Sequence, residues 1–223
     1  ERMIFSEGAL RLGVLYDLLG RYHHHDLRDA TVTAFLSRYS VDMRHASQVA
    51  DTACMLFSQI VPEADDPDGQ DGRFLRWAAM LHESGVSVAH SSFHKHSAYI
   101  LANADMPGFS RMDQARLSRI VLAHRGKLTK VSSIDSGSPD WLLILCLRLA
   151  AVLHRARDGR GMPPIHLSRE AGAYVLSADR DWLDALPLTV AALHDEERLW
   201  SSVGRVLTVR KDDSGALVTS LAA

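Results

Sequence analysis

Between Asp140 and Arg157 the chain carries Leu142, Leu143, Leu145, Leu147, Leu149 and Val152 in a strongly apolar run. A helix with so little polar surface has to be enclosed by other elements. The segment therefore predicts a central, buried helix, and the chain before it supplies the wrapping. Apolar residues recur at three- and four-residue steps over Ser6–Arg21 (Ala9, Leu12, Leu15, Leu18, Leu19), with Ser6 as the expected cap and Glu7 near the positive end of the helix dipole. Helices are predicted over Asp26–Arg38, Asp42–Ile60, Arg73–Glu83, Phe93–Asn103 and Ser110–His124. The second of these has a stripe of Met43, Ala46, Val49, Ala50, Ala53, Leu56 and Phe57. His23, His24 and His25 point in different directions on any regular backbone and read as surface histidines at a helix break. Pro62 to Gly72, with five acidic residues, two prolines and two glycines, reads as a surface loop.

After Arg157 the pattern changes. Gly159, Gly161, Pro163 and Pro164 interrupt the helices, and alternating segments follow at Ile165–Ser168 and Tyr174–Ser177. A helix over Leu188–Ser201 and strands at Arg205–Arg210 and Ala216–Ser220 complete the expectation. The predicted fold is mainly α: a helical bundle over residues 1–161, then a small α+β unit over 162–223.

A net charge of −2 argues against a dedicated nucleic-acid binder, but the charge is unevenly distributed. Residues 1–76 hold eight Lys/Arg against twelve Asp/Glu, whereas residues 77–134 hold seven against three, so a polyanion would favour the middle. His90, His94, Lys95 and His96 gather at the start of a predicted helix, where free backbone amides attract anions. Arg111, Arg116, Arg119, His124, Arg125, Lys127 and Lys130 follow with only Asp113 opposing them over 111–130. Such a groove suits a phosphate chain, held by summed cationic contacts and weakened by salt. Arg205, Arg210 and Lys211 offer a lesser patch. Cys54 and Cys146 sit in apolar helical surroundings without metal-ligand spacing or a disulfide framework, which predicts core residues of a reducing, cytoplasmic compartment. No apolar run is long enough to cross a bilayer. Neither a glycine-rich phosphate loop nor a supported nucleophile triad is present in the sequence.

Three stretches carry a resemblance. Ser6-Glu-Gly-Ala-Leu-Arg-Leu-Gly-Val-Leu-Tyr-Asp-Leu-Leu-Gly-Arg21, Leu81-His-Glu-Ser-Gly-Val-Ser-Val-Ala-His90 and His94-Lys-His96 resemble the C-terminal part of the exopolyphosphatase and guanosine pentaphosphate phosphohydrolase family. The resemblance implies an HD-like helical domain that holds the polymeric substrate and supports a homodimer. The catalytic front half would lie upstream, an expectation that fits a first residue of Glu1. It implies polyphosphate or guanosine pentaphosphate as ligand at His90, His94, Lys95, His96, Arg119, His124, Arg125, Lys127 and Lys130. Magnesium is implied for the parent enzyme, with no cofactor and no catalytic residue in this region.

His45 on one helix, the His82-Glu83 doublet closing another and a later position on a long helix follow the order of the HD phosphohydrolase superfamily, from about Arg44 to His154. That chemistry needs imidazoles and carboxylates converging on a divalent metal. Here Glu83 replaces the aspartate of the doublet, and Ala150-Ala151 stands where the superfamily has Ala-Asp. The expectation is a lost metal centre, with His45, His82 and Glu83 left as a buried hydrogen-bonded triad. Two other readings stand beside the substrate-binding one: a free-standing HD-type nucleotide phosphohydrolase, and a structural helical interaction module.

Overall fold

The computed structural model describes residues 26–157 and 164–212. The expected helix over Ser6–Arg21, the histidines at 23–25, the unit boundary near residue 161 and the strand at 216–220 lie outside the described residues. Eight α-helices and three strands are described. The bundle comprises α1 (Leu27–Arg38), α2 (Met43–Ser58), α3 (Gln70–Leu81), α4 (Phe93–Asn103), α5 (Arg111–Ala123) and α6 (Asp140–Leu153). The second region runs β1 (Ile165–Glu170), β2 (Ala173–Asp179), α7 (Arg180–Asp184), α8 (Pro187–Ser201) and β3 (Leu207–Asp212). The architecture is the predicted one, mainly helical with a small mixed C-terminal unit.

Local chemistry explains most of the helix starts. Asp26 accepts from the amide of Arg28, Asp42 from that of His45, and Ser110 and Asp113 form a reciprocal capping box. In α2 the expected stripe is buried from Ala46 to Phe57, whereas Met43, in the first turn, is exposed. Helix α6 lies at the centre: eleven consecutive residues, Asp140 to Ala150, are buried. Its first residue, Asp140, is held by Arg116 Nε at 2.7 Å and Arg119 Nη2 at 2.6 Å, so two cations meet a carboxylate at the positive end of the helix dipole.

The sheet order is β1-β2-β3, with β1 antiparallel and β3 parallel to β2. Ala171 and Gly172 both take positive φ between β1 and β2, as a two-residue hairpin turn of the primed type requires. The apolar residues of this region, including Leu167, Leu176, Leu193 and Trp200, join one buried cluster with those of the bundle. Trp200 packs edge-on against Trp141 of α6, with ring centroids 5.9 Å apart. Helix α8 therefore lies against the central helix and forms one wall of the cleft described next.

Candidate functional site

Helix α3 ends at Leu81, and the turn that follows is fixed by α4. Ser97 Oγ donates to the carbonyl of His82 and accepts from the amide of Gly85, both at 2.8 Å. A Cβ added at Gly85 would fall 2.3 Å from both the Phe93 carbonyl oxygen and the Ser97 nitrogen. This close approach locks His82 and Glu83 in place.

The two buried imidazoles nearest this turn have defined tautomers. His82 Nδ1 lies 2.6 Å from the Ala79 carbonyl, and His124 Nδ1 lies 2.6 Å from the Val121 carbonyl. A carbonyl only accepts, so each Nδ1 carries the proton and each Nε2 of the neutral ring presents a lone pair. The rings form a row: His45 to His82 at 6.1 Å between centroids, His82 to His124 at 5.1 Å, and His124 to His94 at 6.2 Å. Burial pushes the His45, His82 and His124 pKa values below the ordinary imidazole range, and it does the same to His154, which shares a 2.7 Å hydrogen bond with Thr52.

The expected hydrogen-bonded triad is not formed. His45 Nε2 and His82 Nε2 stand 3.9 Å and 4.0 Å from Glu83 Oε1, beyond hydrogen-bonding distance. The reason is Arg157, whose Nη2 donates to both Glu83 oxygens at 2.7 Å and 2.6 Å while its Nη1 reaches Asp42 at 3.3 Å. Ala151 lines the same cleft and offers no carboxylate. With its acid neutralised by a guanidinium and its distal ligand missing, the cluster as arranged does not fit a catalytic metal centre.

These groups line a cleft of about 380 Å³ between α2, the α3–α4 turn, α6 and α8. Each acid in the lining already holds an arginine: Glu83 with Arg157, Asp195 with Arg198, and Glu196 with Arg148. Arg125 and Arg155, also in the lining, have no ion-pair partner among the described residues. The cleft thus carries surplus positive charge. Next to it, His94 is driven down to about 4 by burial, then by Lys130, Lys95, Arg125 and Arg148. Lys130 is lowered to about 8 by burial, then by Arg148 and Lys95. Its ammonium donates to the Arg125 carbonyl.

Of the residues expected to hold a phosphate chain, the structure brings together His94, Lys95, His124, Arg125 and Lys130. His96, two positions on from His94, instead places its Cβ 2.7 Å from where a Gly85 side chain would begin. Arg119 turns away to Asp140. His90 and Lys127 are exposed. In the lesser patch Arg210 pairs with Glu170 and Lys211 with Asp184, while Arg205 stacks on Trp141 at 4.5 Å. Arg148, Arg155 and Arg157 were not singled out by sequence. An arginine within a buried leucine run was itself a signal, because such a charge requires a buried acid, and Glu196 supplies it.

Neutral buried histidines have a consequence for stability. The unfolded chain takes up protons near pH 6.5, whereas the folded rings resist them, so folding stability is complete above pH 6.5 and falls as pH drops below it. The urea midpoint at pH 5 should therefore be lower than at pH 7.5, and replacing His124 by phenylalanine should flatten the difference. A midpoint unchanged over that range would contradict neutral rings.

The described residues thus form a mainly helical bundle with a His-Glu turn beside a cleft of surplus positive charge. Residues 27–197 match the family described as Ppx/GppA phosphatase, domain III, and the chain belongs to that family. Its relatives include the guanosine-5′-triphosphate,3′-diphosphate pyrophosphatases of Pseudoalteromonas translucida, 34% identical, and of Vibrio cholerae, 32% identical, each over 94% of this chain. The chain spans 43% and 42% of those two proteins.

Proposed function

We propose that this chain is the ligand-holding part of a phosphohydrolase and binds guanosine pentaphosphate, with inorganic polyphosphate as the alternative ligand of the same charge pattern. The cations beside the cleft carry the reading: Lys95, Arg125 and Lys130, none of them in an ion pair among the described residues, lie near enough to His94 to add to the effect of burial in lowering its pKa. Uncompensated cations crowded in this way are electrostatically costly unless an anion joins them, and phosphate oxygens are suited to that position. The relatives' names favour the guanosine ligand. Bond cleavage is assigned to a portion of the parent protein outside this chain. The free-standing metal hydrolase is disfavoured by Ala151 and by the engagement of Glu83 with Arg157.

Binding of a fluorescent guanosine pentaphosphate analogue tests the reading. The Lys95→Ala/Arg125→Ala/Lys130→Ala variant should bind at least about tenfold more weakly, and wild-type affinity should fall with salt. Affinity should also fall as pH rises past about 8, where Lys130 loses its proton. Equal binding by wild type and variant would remove the cluster from the site. Binding by neither would favour the structural interaction module.

A further inference from the structure

A second cavity, of about 340 Å³, lies toward the opposite end of α6 from the cleft. Its wall includes Arg205, whose guanidinium covers Trp141 in the first turn of α6, whereas the cleft takes Arg148, Ala151, Val152 and Arg155 from the same helix. Trp141 and Arg148 are about 10 Å apart along the helix axis at 1.5 Å per residue. The two linings share no residue. The sheet explains why charge collects here. Ile165, Leu167 and Arg169 share one face of β1, and the first two are buried in the core. Beyond Leu167 the apolar layer ends, and Arg169 stands opposite Tyr174 of β2 with its guanidinium 5.9 Å from the ring centroid. Glu170, on the alternate face, goes to Arg210 and leaves Arg169 without an acid. Arg205 arrives from the turn between α8 and β3, and its Nη2 donates to the Ser136 carbonyl at 2.5 Å. Neither arginine has an ion-pair partner among the described residues, and those lining the cavity include no Asp or Glu. Arg205 is near enough to feel Arg169: burial lowers its pKa, the Tyr174 phenol opposes the shift and the Arg169 charge adds to it. At Gly172 and Gly204, both in the lining, nothing lies within 4 Å of where a Cβ would stand, so the backbone borders open space.

We propose that this cavity binds a phosphate group between Arg169 and Arg205, either as inorganic phosphate or as the phosphate of a small ester. A dianion matches the two guanidinium charges, and its oxygens accept from both planar forks at once, whereas a monocarboxylate engages one. The Tyr174 hydroxyl adds a neutral donor. Bound there, the anion ties the β1–β2 turn, the α8–β3 turn and the residues before α6 to one another. The site does not rest on the cleft, since none of its groups belongs to the cations around His94.

Inorganic phosphate and glycerol phosphate are the probes, followed by the backbone amide resonances of Gly172 and Gly204 during titration. The measurement uses the Lys95→Ala/Arg125→Ala/Lys130→Ala chain, in which the cleft is weakened and the second cavity is untouched. Both glycine resonances should shift and saturate with phosphate but not with chloride at equal ionic strength. Adding Arg169→Gln/Arg205→Gln should weaken binding at least about tenfold. Arg169 is exposed, so Arg169→Gln alone carries the comparison if loss of the Arg205 stack on Trp141 unfolds the chain. Glycerol phosphate binding as tightly as inorganic phosphate identifies an ester as a ligand, and binding at least about tenfold more weakly identifies the free anion. Glycine resonances that do not move, that move equally with chloride, or that saturate at the same phosphate concentration without the two arginines would overturn the proposal.

Discussion

Replacing Glu196 by alanine should lower the unfolding free energy by about 3 to 5 kcal/mol, the range for removing one partner of a buried ion pair. Arg148 is 1% exposed and its guanidinium has three recorded bonds: Nε and Nη2 to the two Glu196 oxygens at 2.6 Å and 2.8 Å, and Nη1 to the Ala123 carbonyl at 2.5 Å. Without Glu196 a full charge remains in the core with a single carbonyl for company. Urea unfolding of wild type and variant measures the loss. A change below about 1 kcal/mol, the size expected of an exposed pair, would mean that Arg148 escapes into the water of the cleft. The paired replacement Arg148→Met/Glu196→Leu should recover most of the stability, because two apolar side chains restore packing without a buried charge. It should also let Lys130 keep its proton to higher pH, since Arg148 is one of the cations that lower it.

Gly85→Ala should cost about 3 kcal/mol, at the upper end for a side chain forced into filled space. The added carbon would meet backbone atoms of Phe93 and Ser97, which have no rotamer to change. Relief requires the turn to back away from α4, breaking the bond from the Gly85 amide to Ser97 and shifting His82 with it. Thermal unfolding reads the stability loss. An unchanged melting temperature would show that the turn and α4 do not meet as closely as described. Phe93 and His82 both line the cleft, so phosphate binding should weaken in the same variant.

The bundle was legible because its signals are local. Helix α4 runs from Phe93 to Asn103 as its pattern predicts, and Asp26, Asp42 and Ser110 cap helices where cap residues precede apolar stripes. The misreadings have physical causes. Helix α3 starts at Gln70, three residues earlier than expected, because Asp66 accepts from the amides of Gln70, Asp71 and Gly72. Within a run of acids, prolines and glycines that cap looks like one more loop residue. Helix α6 ends at Leu153 rather than Arg157, and the three residues beyond His154 leave the helix and deliver Arg157 to Glu83. Helix α7 was not foreseen at all, being a five-residue turn started by Asp179. Of the cleft, the sequence showed the histidines and the cations near Arg125, since these cluster along the chain. It did not show which charges are spoken for. Glu83 and Arg157 are 74 positions apart, Arg148 and Glu196 are 48, and no periodicity reports such a pairing.

Helix α8 supplies one wall of the cleft and is tied to α6 by the Arg148–Glu196 pair and the Trp141–Trp200 stack. The calibre of the opening is therefore governed from its hydrophobic rear rather than from its charged rim. Trimming Trp200 to a smaller ring should therefore alter the width of the opening from a position fully buried behind its lining.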